Sequence, residues 1–356
     1  MKKALIAMSG GVDSSVAAYI TKENGFECIG ATMRLFDNEE AGLHPERSCC
    51  SLDDSEDARL VCNKIGIKHY VLDFRGNFRE NVIEKFIRSY EEGETPNPCI
   101  DCNRYLKFEG LYEKGKLLGC DYIVTGHYAI IGKDGNSGRW LLKKAADRSK
   151  DQSYVLYSLS QEQLAHTMFP LGTMEKSRTR KIAEEKGFIN AKKRESQDIC
   201  FVPDGDYAGA IKRLAGKEYE TGYFVDTSGN VLGEHKGIIR YTVGQRKGLG
   251  LALPEPMYVL KKDVKNNTVV LGRNSDLFAR ELDAVDFNWI AYEAPPKELR
   301  VKAKIRYSQQ EQPATVRAAG KRRIHLEFDE PQRAVTPGQA VVLYDGDTVV
   351  GGGTIE

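Results

Sequence analysis

Between the apolar run Ala4-Leu5-Ile6-Ala7-Met8 and the residues beginning at Val12, the chain places Ser9-Gly10-Gly11, and it continues Val12-Asp13-Ser14-Ser15. That order predicts a buried strand, a tight glycine turn and a helix start. Adjacent glycines let the backbone approach a polyanion, while Ser14, Ser15 and the free N–H groups of a helix's first turn offer donors to negative charge. The turn is therefore a candidate phosphate cradle. It is not a Walker loop, which needs a Gly-Lys-Ser/Thr ending to set a lysine on the β- and γ-phosphates; Val12-Asp13 stands in that region instead.

The string SGGVDSS resembles the PP-loop of ATP pyrophosphatases, which bind the pyrophosphate of ATP in this turn and transfer AMP to a substrate oxygen. Its place at the carboxyl end of a first strand is where open α/β sheets bind nucleotides. Lys+Arg 52 against Asp+Glu 51 gives a net charge of +1, so a polyanionic partner would have to be met by local clusters. The lysines at the N-terminus are followed by too short an apolar run for a signal sequence, and no stretch is long enough to span a bilayer, so a cytoplasmic protein without membrane contact is expected. Eight cysteines in such a chain suggest burial, metal binding or catalysis rather than structural disulfides.

Strand-like and helix-like segments alternate up to about residue 130, predicting an α/β fold with an N-terminal doubly wound parallel sheet. The strands are Lys3–Met8, Cys28–Met33, His69–Phe74 and Tyr122–Thr125, with helices over Ser51–Lys64 and Glu80–Tyr90 packing on the sheet. Residues 151–195 keep a helical pattern through Leu156, Leu159, Leu164 and Met168. Beyond about 205, glycine, proline and β-branched residues dominate, with turns at Asp204-Gly205, Ser228-Gly229-Asn230 and Asn266-Asn267. After Pro295-Pro296, period-two runs at Val301–Tyr307, Ala314–Ala318, Ile324–Phe328 and Ala340–Tyr344 close with Asp345-Gly346-Asp347 and Gly351-Gly352-Gly353. The expected domains are a catalytic domain over 1–203, a small β-rich connecting domain over 204–280 and a C-terminal β-barrel over 281–356.

In Thr95-Pro96-Asn97-Pro98-Cys99-Ile100-Asp101-Cys102-Asn103, two prolines stiffen the approach to a Cys-x-x-Cys pair, and a third cysteine follows in Ser196-Gln197-Asp198-Ile199-Cys200-Phe201. Half of a zinc site is one reading, but no histidine lies nearby to complete it. The strings SGGVDSS, TPNPCIDCN, TGHYA at 125–129, KDQSY at 150–154, SQDICF, GQRKGLG at 244–250 and TPGQAVVLYDGD at 336–347 occur in the order found in tRNA-specific 2-thiouridylases. The chain resembles that family over essentially its whole length.

The resemblance implies a PP-loop catalytic domain of the adenine nucleotide α-hydrolase kind. It implies that ATP adenylates the 2-carbonyl oxygen of the wobble uridine of certain tRNAs, after which sulfur displaces AMP. By position, Ala7, Met8, Ser9, Gly10, Gly11, Val12, Asp13 and Ser14 bind the nucleotide, Met33 lines the adenine and Gly126 touches ATP. Cys102 and Cys200 match the catalytic cysteines, the second carrying a persulfide. Asn97, Pro98 and Cys99 match the segment that meets the target base; His127, Lys150, Asp151, Gln152, Arg306, Tyr307 and Gln339 match tRNA contacts. The sulfur comes from a donor, either a protein persulfide or sulfide. Asp13, beside the phosphates, is the expected holder of Mg²⁺, because hard cations prefer carboxylate and phosphate oxygens.

The chemistry is consistent. A uracil carbonyl oxygen leaves poorly until it is esterified with AMP, and thiolates attack well near neutral pH once a cationic environment lowers their pKa. Well-known members carry aspartate where this chain has Cys99, which removes a carboxylate base from that position. Two sulfur routes stand open. Cys99, Cys102 and Cys200 could hold a four-iron four-sulfur cluster with one iron free for sulfide, or Cys102 and Cys200 could run a cluster-free persulfide relay. Cys28, Cys62 and Cys120 read as small buried hydrophobes, as do Cys49-Cys50 with less definition.

Basic residues gather at Lys143-Lys144, Arg148 and Lys150, at Lys176 to Lys181, at Lys192-Lys193-Arg194, at Arg240 with Arg246-Lys247, and at Lys302, Lys304 and Arg306. Together they read as a surface that tracks RNA phosphates, with Tyr307 able to stack on a base. Rival readings are another PP-loop adenylating ligase or amidotransferase, and a non-catalytic iron-sulfur RNA-binding protein with a degenerate ATP site. The intact SGGVDSS speaks against the last.

Overall fold

The computed structural model describes residues 1–36, 52–193, 199–202 and 204–356. Cys49-Cys50 and the first half of the Ser196–Phe201 string, up to Asp198, lie outside the described residues. Two compact units emerge. One comprises Met1–Ile83, Pro98–Gly205 and Asp347–Val349; the other comprises Glu84–Asn97, Asp206–Gly346 and Val350–Glu356.

The first unit is built on a parallel sheet of β1 (Lys3–Ala7), β2 (Glu27–Arg34), β3 (Lys68–Asp73) and β4 (Tyr122–Val124), all four expected from the sequence. An antiparallel hairpin, β5 (Ala129–Lys133) and β6 (Trp140–Lys144), and a two-residue strand, β7 (Thr167–Met168), follow. The sheet order is β3-β2-β1-β4-β7. Strand order reverses beside β1, so a crevice opens at the carboxyl ends of β1 and β4, the position at which such sheets hold nucleotides.

Helix α1 (Val12–Glu23) turns Val12, Val16, Ala17 and Ala18 onto the sheet, and α2 (Leu52–Ile65) contributes Ala58, Val61 and Cys62 to the same core. The backbones approach closely here: a Cβ on Gly30 of β2 would lie 2.6 Å from Cys62 Sγ. Burial pushes the Cys28 thiol up to about 11 and the Cys62 thiol up to about 12, and raises that of Cys120. All three are buried and far from the thiolate form, as expected of structural cysteines.

Two readings of the helical pattern are corrected. Met168 lies in β7, paired parallel to β4, rather than in a helix; a two-residue strand is too short to leave a period. The helical stretch over residues 80–90 does not pack on the sheet throughout. Its later part, Glu84–Glu91, belongs to the second unit and packs against helix Tyr207–Ala215. Apolar spacing identifies a buried face without naming what covers it.

In the second unit, β8 (Gly222–Val225), β9 (Val231–His235), β10 (Tyr258–Asp263) and β11 (Thr268–Gly272) form a sheet in the order β10-β11-β8-β9. The predicted turns at Ser228-Gly229-Asn230 and Asn266-Asn267 join its strands, Gly229 and Asn267 both taking positive φ. A barrel follows, formed by β12 (Phe278–Trp289), β13 (Glu298–Lys304), β14 (Gln312–Gly320), β15 (Arg323–Arg333), β16 (Ala340–Asp345) and β17 (Thr348–Ile355). Their order is β12-β15-β14-β13-β16-β17, and pairing of β12 with β17 closes the ring. Leu282, Phe287, Val316, Leu326, Phe328 and Leu343 are among the side chains filling it. Gly351-Gly352-Gly353 is therefore part of a strand, not a closing turn. A Cβ on Gly351 would lie 2.4 Å from the Asn288 carbonyl oxygen, so the absence of side chains permits the closure.

Candidate nucleotide and sulfur site

The glycine turn folds as its residue types require. Gly10 takes φ +73°, and a Cβ there would lie 2.3 Å from the backbone oxygen of Asp54, so only glycine fits. Gly11 caps α1 without a side-chain bond, leaving the first-turn N–H groups open toward the crevice. Ser14 Oγ and Ser15 Oγ each donate to the Gly11 carbonyl at 3.0 Å, and Ser9 N and Ser9 Oγ each donate to Ser14 Oγ at 3.2 Å. The serines thus shape the turn internally; the donors aimed outward are backbone amides.

Side chains missed by sequence reasoning brace this turn. Asn190 Nδ2 donates to the Gly10 carbonyl at 2.8 Å and to Ser15 Oγ at 2.9 Å. Lys193 Nζ bridges Asp54 and Asp57, at 2.6 Å from each, holding the start of α2 beside Gly10. Tyr128 donates its hydroxyl to Asp13 Oδ1 at 2.9 Å, and the same hydroxyl lies 3.0 Å from Thr179 Oγ1. Lys176 reaches both oxygens of Asp13, at 2.7 and 2.8 Å. A lysine read as part of an exposed basic run is thus an internal partner of the phosphate turn; Arg178 and Lys181 of the same run pair with Glu185. Only the tertiary fold joins Lys176 to a residue 163 positions away.

Beside the phosphate turn, the loop after β4 supplies Gly126. A Cβ on it would lie 2.8 Å from Ser14 N, so this loop lies flush against the first turn of α1. Met33 stands half-buried at the end of β2. Residues Ala7 through Ser14, Met33 and Gly126 therefore come together at the carboxyl ends of adjacent strands.

Pro98–Asp101 forms one helical turn that runs into a π-helical stretch, Cys102–Gly110, and such wide turns recur at functional sites. Cys99 is exposed, while Cys102 and Cys200 are half-buried. Phe201 fixes the third cysteine's segment by packing edge-on against Phe78, with ring centroids 5.7 Å apart. Among the described residues no three His, Cys, Asp or Glu side chains are grouped as metal ligands would be. Cys99 and Cys102 lie on adjoining helical turns, and Cys200 lies on a separate segment.

The expected tRNA contacts are dispersed. His127 is buried, 2.7 Å from Thr125 Oγ1 through Nδ1 and flanked by Phe108 and Phe169; burial holds its imidazole well below its usual value. Asp151 accepts from Ala145 N at 2.9 Å and Gln152 from Tyr128 N at 3.0 Å, so both order the loop that carries half-buried Lys150. In the second unit, Arg306 donates to the carbonyls of Arg333 and Ala334, and Tyr307 is exposed. Asn97 is half-buried, Pro98 is buried, and Gln339 Nε2 donates to the Thr95 carbonyl at 2.6 Å.

Residues 2–204 match the family described as tRNA methyl transferase HUP domain, residues 210–273 its PRC-barrel domain and residues 279–355 the aminomethyltransferase beta-barrel domain. The chain is 55% identical over 355 residues to the tRNA-specific 2-thiouridylase MnmA of Clostridioides difficile (strain 630), covering 100% of this chain and 98% of that protein. The chain belongs to the tRNA-specific 2-thiouridylase family. The MnmA of Acetivibrio thermocellus is 53% identical over 356 residues, covering 100% of this chain and 99% of that protein. MnmA 2 of Caldanaerobacter subterraneus subsp. tengcongensis is 52% identical over 355 residues, covering 99% and 98% respectively. The family assignment agrees with an uninterrupted phosphate turn and with two half-buried cysteines on separate segments. No helix among the described residues is long and apolar enough to cross a membrane.

Proposed function

We propose that this protein catalyses ATP-dependent 2-thiolation of the wobble uridine of tRNA. The observation that carries the reading is the joining of the SGGVDSS turn to Gly126 in one crevice, within a chain related over its full length to 2-thiouridylases. In the first step the uracil 2-oxygen attacks the α-phosphorus of ATP and pyrophosphate leaves. The amides of α1's first turn face the departing phosphates, where the helix dipole favours the growing negative charge. Gly126 lets the loop after β4 lie against the phosphate turn and form one wall with it, and Met33 offers an apolar surface to the adenine.

Asp13 fits a divalent cation, since one partly exposed carboxylate plus phosphate oxygens is the donor set Mg²⁺ prefers. When bound, Mg²⁺ supplies positive charge to the phosphates.

Sulfur then replaces the activated oxygen. The terminal sulfur of a Cys200 persulfide adds to C2, and AMP departs with the former carbonyl oxygen. The Cys102 thiolate attacks Cys200 Sγ, the S–S bond breaks, and the thiocarbonyl remains on the base with a Cys102–Cys200 disulfide. A thiol reductant followed by sulfane-sulfur transfer from a donor's persulfide restores the starting state; alternatively sulfide attacks the disulfide at Cys200 Sγ, forming the Cys200 persulfide as the Cys102 thiolate leaves. This relay needs only the two half-buried cysteines and leaves exposed Cys99 outside it. Asn97, Pro98 and Cys99 meet the target base, while Lys150, Arg306, Tyr307 and Gln339 contact the tRNA.

The test is tRNA-dependent release of AMP together with mass spectrometry of the digested tRNA. The reading requires AMP release that depends on tRNA and a 2-thiouridine product. AMP release with a small-molecule acceptor and no thiolated nucleoside would overturn it in favour of another adenylating ligase.

A further inference from the structure

Lys176 is difficult to explain as a structural residue. Its side chain is only 10% exposed, and a buried ammonium must be paired and hydrogen-bonded to be tolerated. It also stands at the first position of a helix, Lys176–Glu185, where the dipole disfavours a cation. Its backbone N–H is fixed by Asp147 Oδ2 at 3.0 Å, and its ammonium lies 5.5 Å from the centre of the Tyr128 ring. The position is thus set from several sides, and both oxygens of Asp13 receive its charge.

Asp13 lies in the first turn of α1, and the bonds through Tyr128 to Thr179 place it beside the first turn of the helix that begins at Lys176. Asp147 answers the positive end of that second helix by accepting from Lys176 N, so Asp13 is left to pair with the Lys176 ammonium. That ion pair borders the turn that lacks the Walker lysine.

We propose that Lys176 is the pyrophosphate-binding cation of this site, held by Asp13 until a divalent cation takes over that carboxylate. This inference rests on the reading of the crevice as an ATP site. A divalent cation on Asp13 competes with the Lys176 ammonium for the same carboxylate charge, and on the proposal metal binding releases the ammonium to the β- and γ-phosphates. Lysine serves phosphate as a flexible point charge and needs no fixed fork, so a change of partner within one pocket suits it. No covalent bond changes; one ion pair is exchanged for another.

The experiment uses calorimetry on the full-length protein with inorganic pyrophosphate, AMP and the uncleavable α,β-methylene ATP, and manganese titration followed by spin resonance. With saturating Mg²⁺, Lys176→Met should weaken pyrophosphate and the ATP analogue by about tenfold or more, as loss of a charge-assisted contact implies, and leave AMP within about twofold. Mn²⁺ alone should bind Lys176→Met more tightly than the unaltered protein, because its competitor for Asp13 is gone. Equal weakening of AMP and pyrophosphate, or unchanged or weaker Mn²⁺ binding, would overturn the proposal and leave a structural ion pair.

Asp13→Asn gives a second measurement that does not depend on how Lys176→Met folds. In chelator, without metal, it should bind pyrophosphate about tenfold more tightly than the unaltered protein, since the ammonium is no longer held. No gain there would also reject the proposal. Failure of the unaltered protein to bind the ATP analogue with Mg²⁺ would instead reject the ATP site itself.

Discussion

Gly126 stands so near the start of α1 that a Cβ on it would lie 2.8 Å from Ser14 N and 2.9 Å from Asp13 Cβ. Two loops 112 residues apart in sequence number (126 minus 14) thereby share one wall of the crevice. Gly126→Ala should therefore push the β4 loop away from the phosphate turn. The expected outcome is a rise of about tenfold or more in the ATP concentration needed for half-maximal AMP release, in keeping with the usual cost of overpacking. Gly132→Ala, where nothing lies within 4 Å of the added carbon, is the control and should leave it unchanged.

Asp13→Ala should abolish tRNA-dependent AMP formation while the protein stays folded. The same change leaves the Lys176 ammonium without its carboxylate, so stability should fall by about 1–3 kcal/mol, read from denaturant unfolding monitored by circular dichroism. AMP formation at the unaltered rate would remove Asp13 from the nucleotide site.

The phosphate turn could be read directly because each of its requirements is local: glycine where φ is positive, and an uncapped helix start two residues later. The strands β1 to β4 were legible for the same reason, as short apolar runs with turn residues at their ends. The residues that brace the site were not. Lys176, Asn190 and Lys193 look like ordinary surface positions until the fold brings them to Asp13, Gly10 and Asp54. The glycines of β17 carried the opposite ambiguity, since a glycine run signals a turn unless a neighbouring strand lies too close for side chains. Asp151 and Gln152 illustrate a third case: the motif singles them out as tRNA contacts, while in the fold they accept from Ala145 N, Ser153 Oγ and Tyr128 N of their own unit.

His127 makes acid stability testable. Burial among Phe108 and Phe169 keeps its imidazole neutral well below the ordinary value of 6.5, whereas the unfolded chain takes up a proton near that value. The unfolded state then binds more protons, so stability is complete above pH 6.5 and falls as the pH drops toward the folded-state value. His127→Gln should flatten the unfolding free energy over that acidic window by up to about 1.4 kcal/mol per pH unit. Identical pH profiles for the two proteins would show that His127 is accessible to protons in the folded state.

Lys150 and Arg306 bear on RNA affinity. If each meets a phosphate, neutralising both should weaken tRNA binding and reduce the slope of log affinity against log salt by about 0.7–0.9 per lost contact. Filter binding at several salt concentrations measures this. Arg306 also donates to the carbonyls of Arg333 and Ala334, so Arg306→Gln alone should be checked for altered melting. An unchanged slope with a lowered melting temperature would assign Arg306 to the barrel rather than to the tRNA.

The cysteines separate the two routes for sulfur. Adenylation precedes sulfur transfer and uses no thiol, so Cys102→Ser and Cys200→Ser should each abolish 2-thiouridine while tRNA-dependent AMP release continues. Cys99 is exposed and takes no part in the relay, so Cys99→Ser should retain thiolation. Anaerobic assays with mass spectrometry of nucleosides, combined with iron analysis, distinguish the alternatives. In the relay, iron-free Cys99→Ser protein modifies tRNA. A thiolate-held cluster would instead give about four irons per reconstituted chain and broad visible absorption. Any one of the three substitutions would then remove iron and thiolation together. That result would mean that the cysteine segments draw together around iron, and the two-cysteine relay would have to be abandoned.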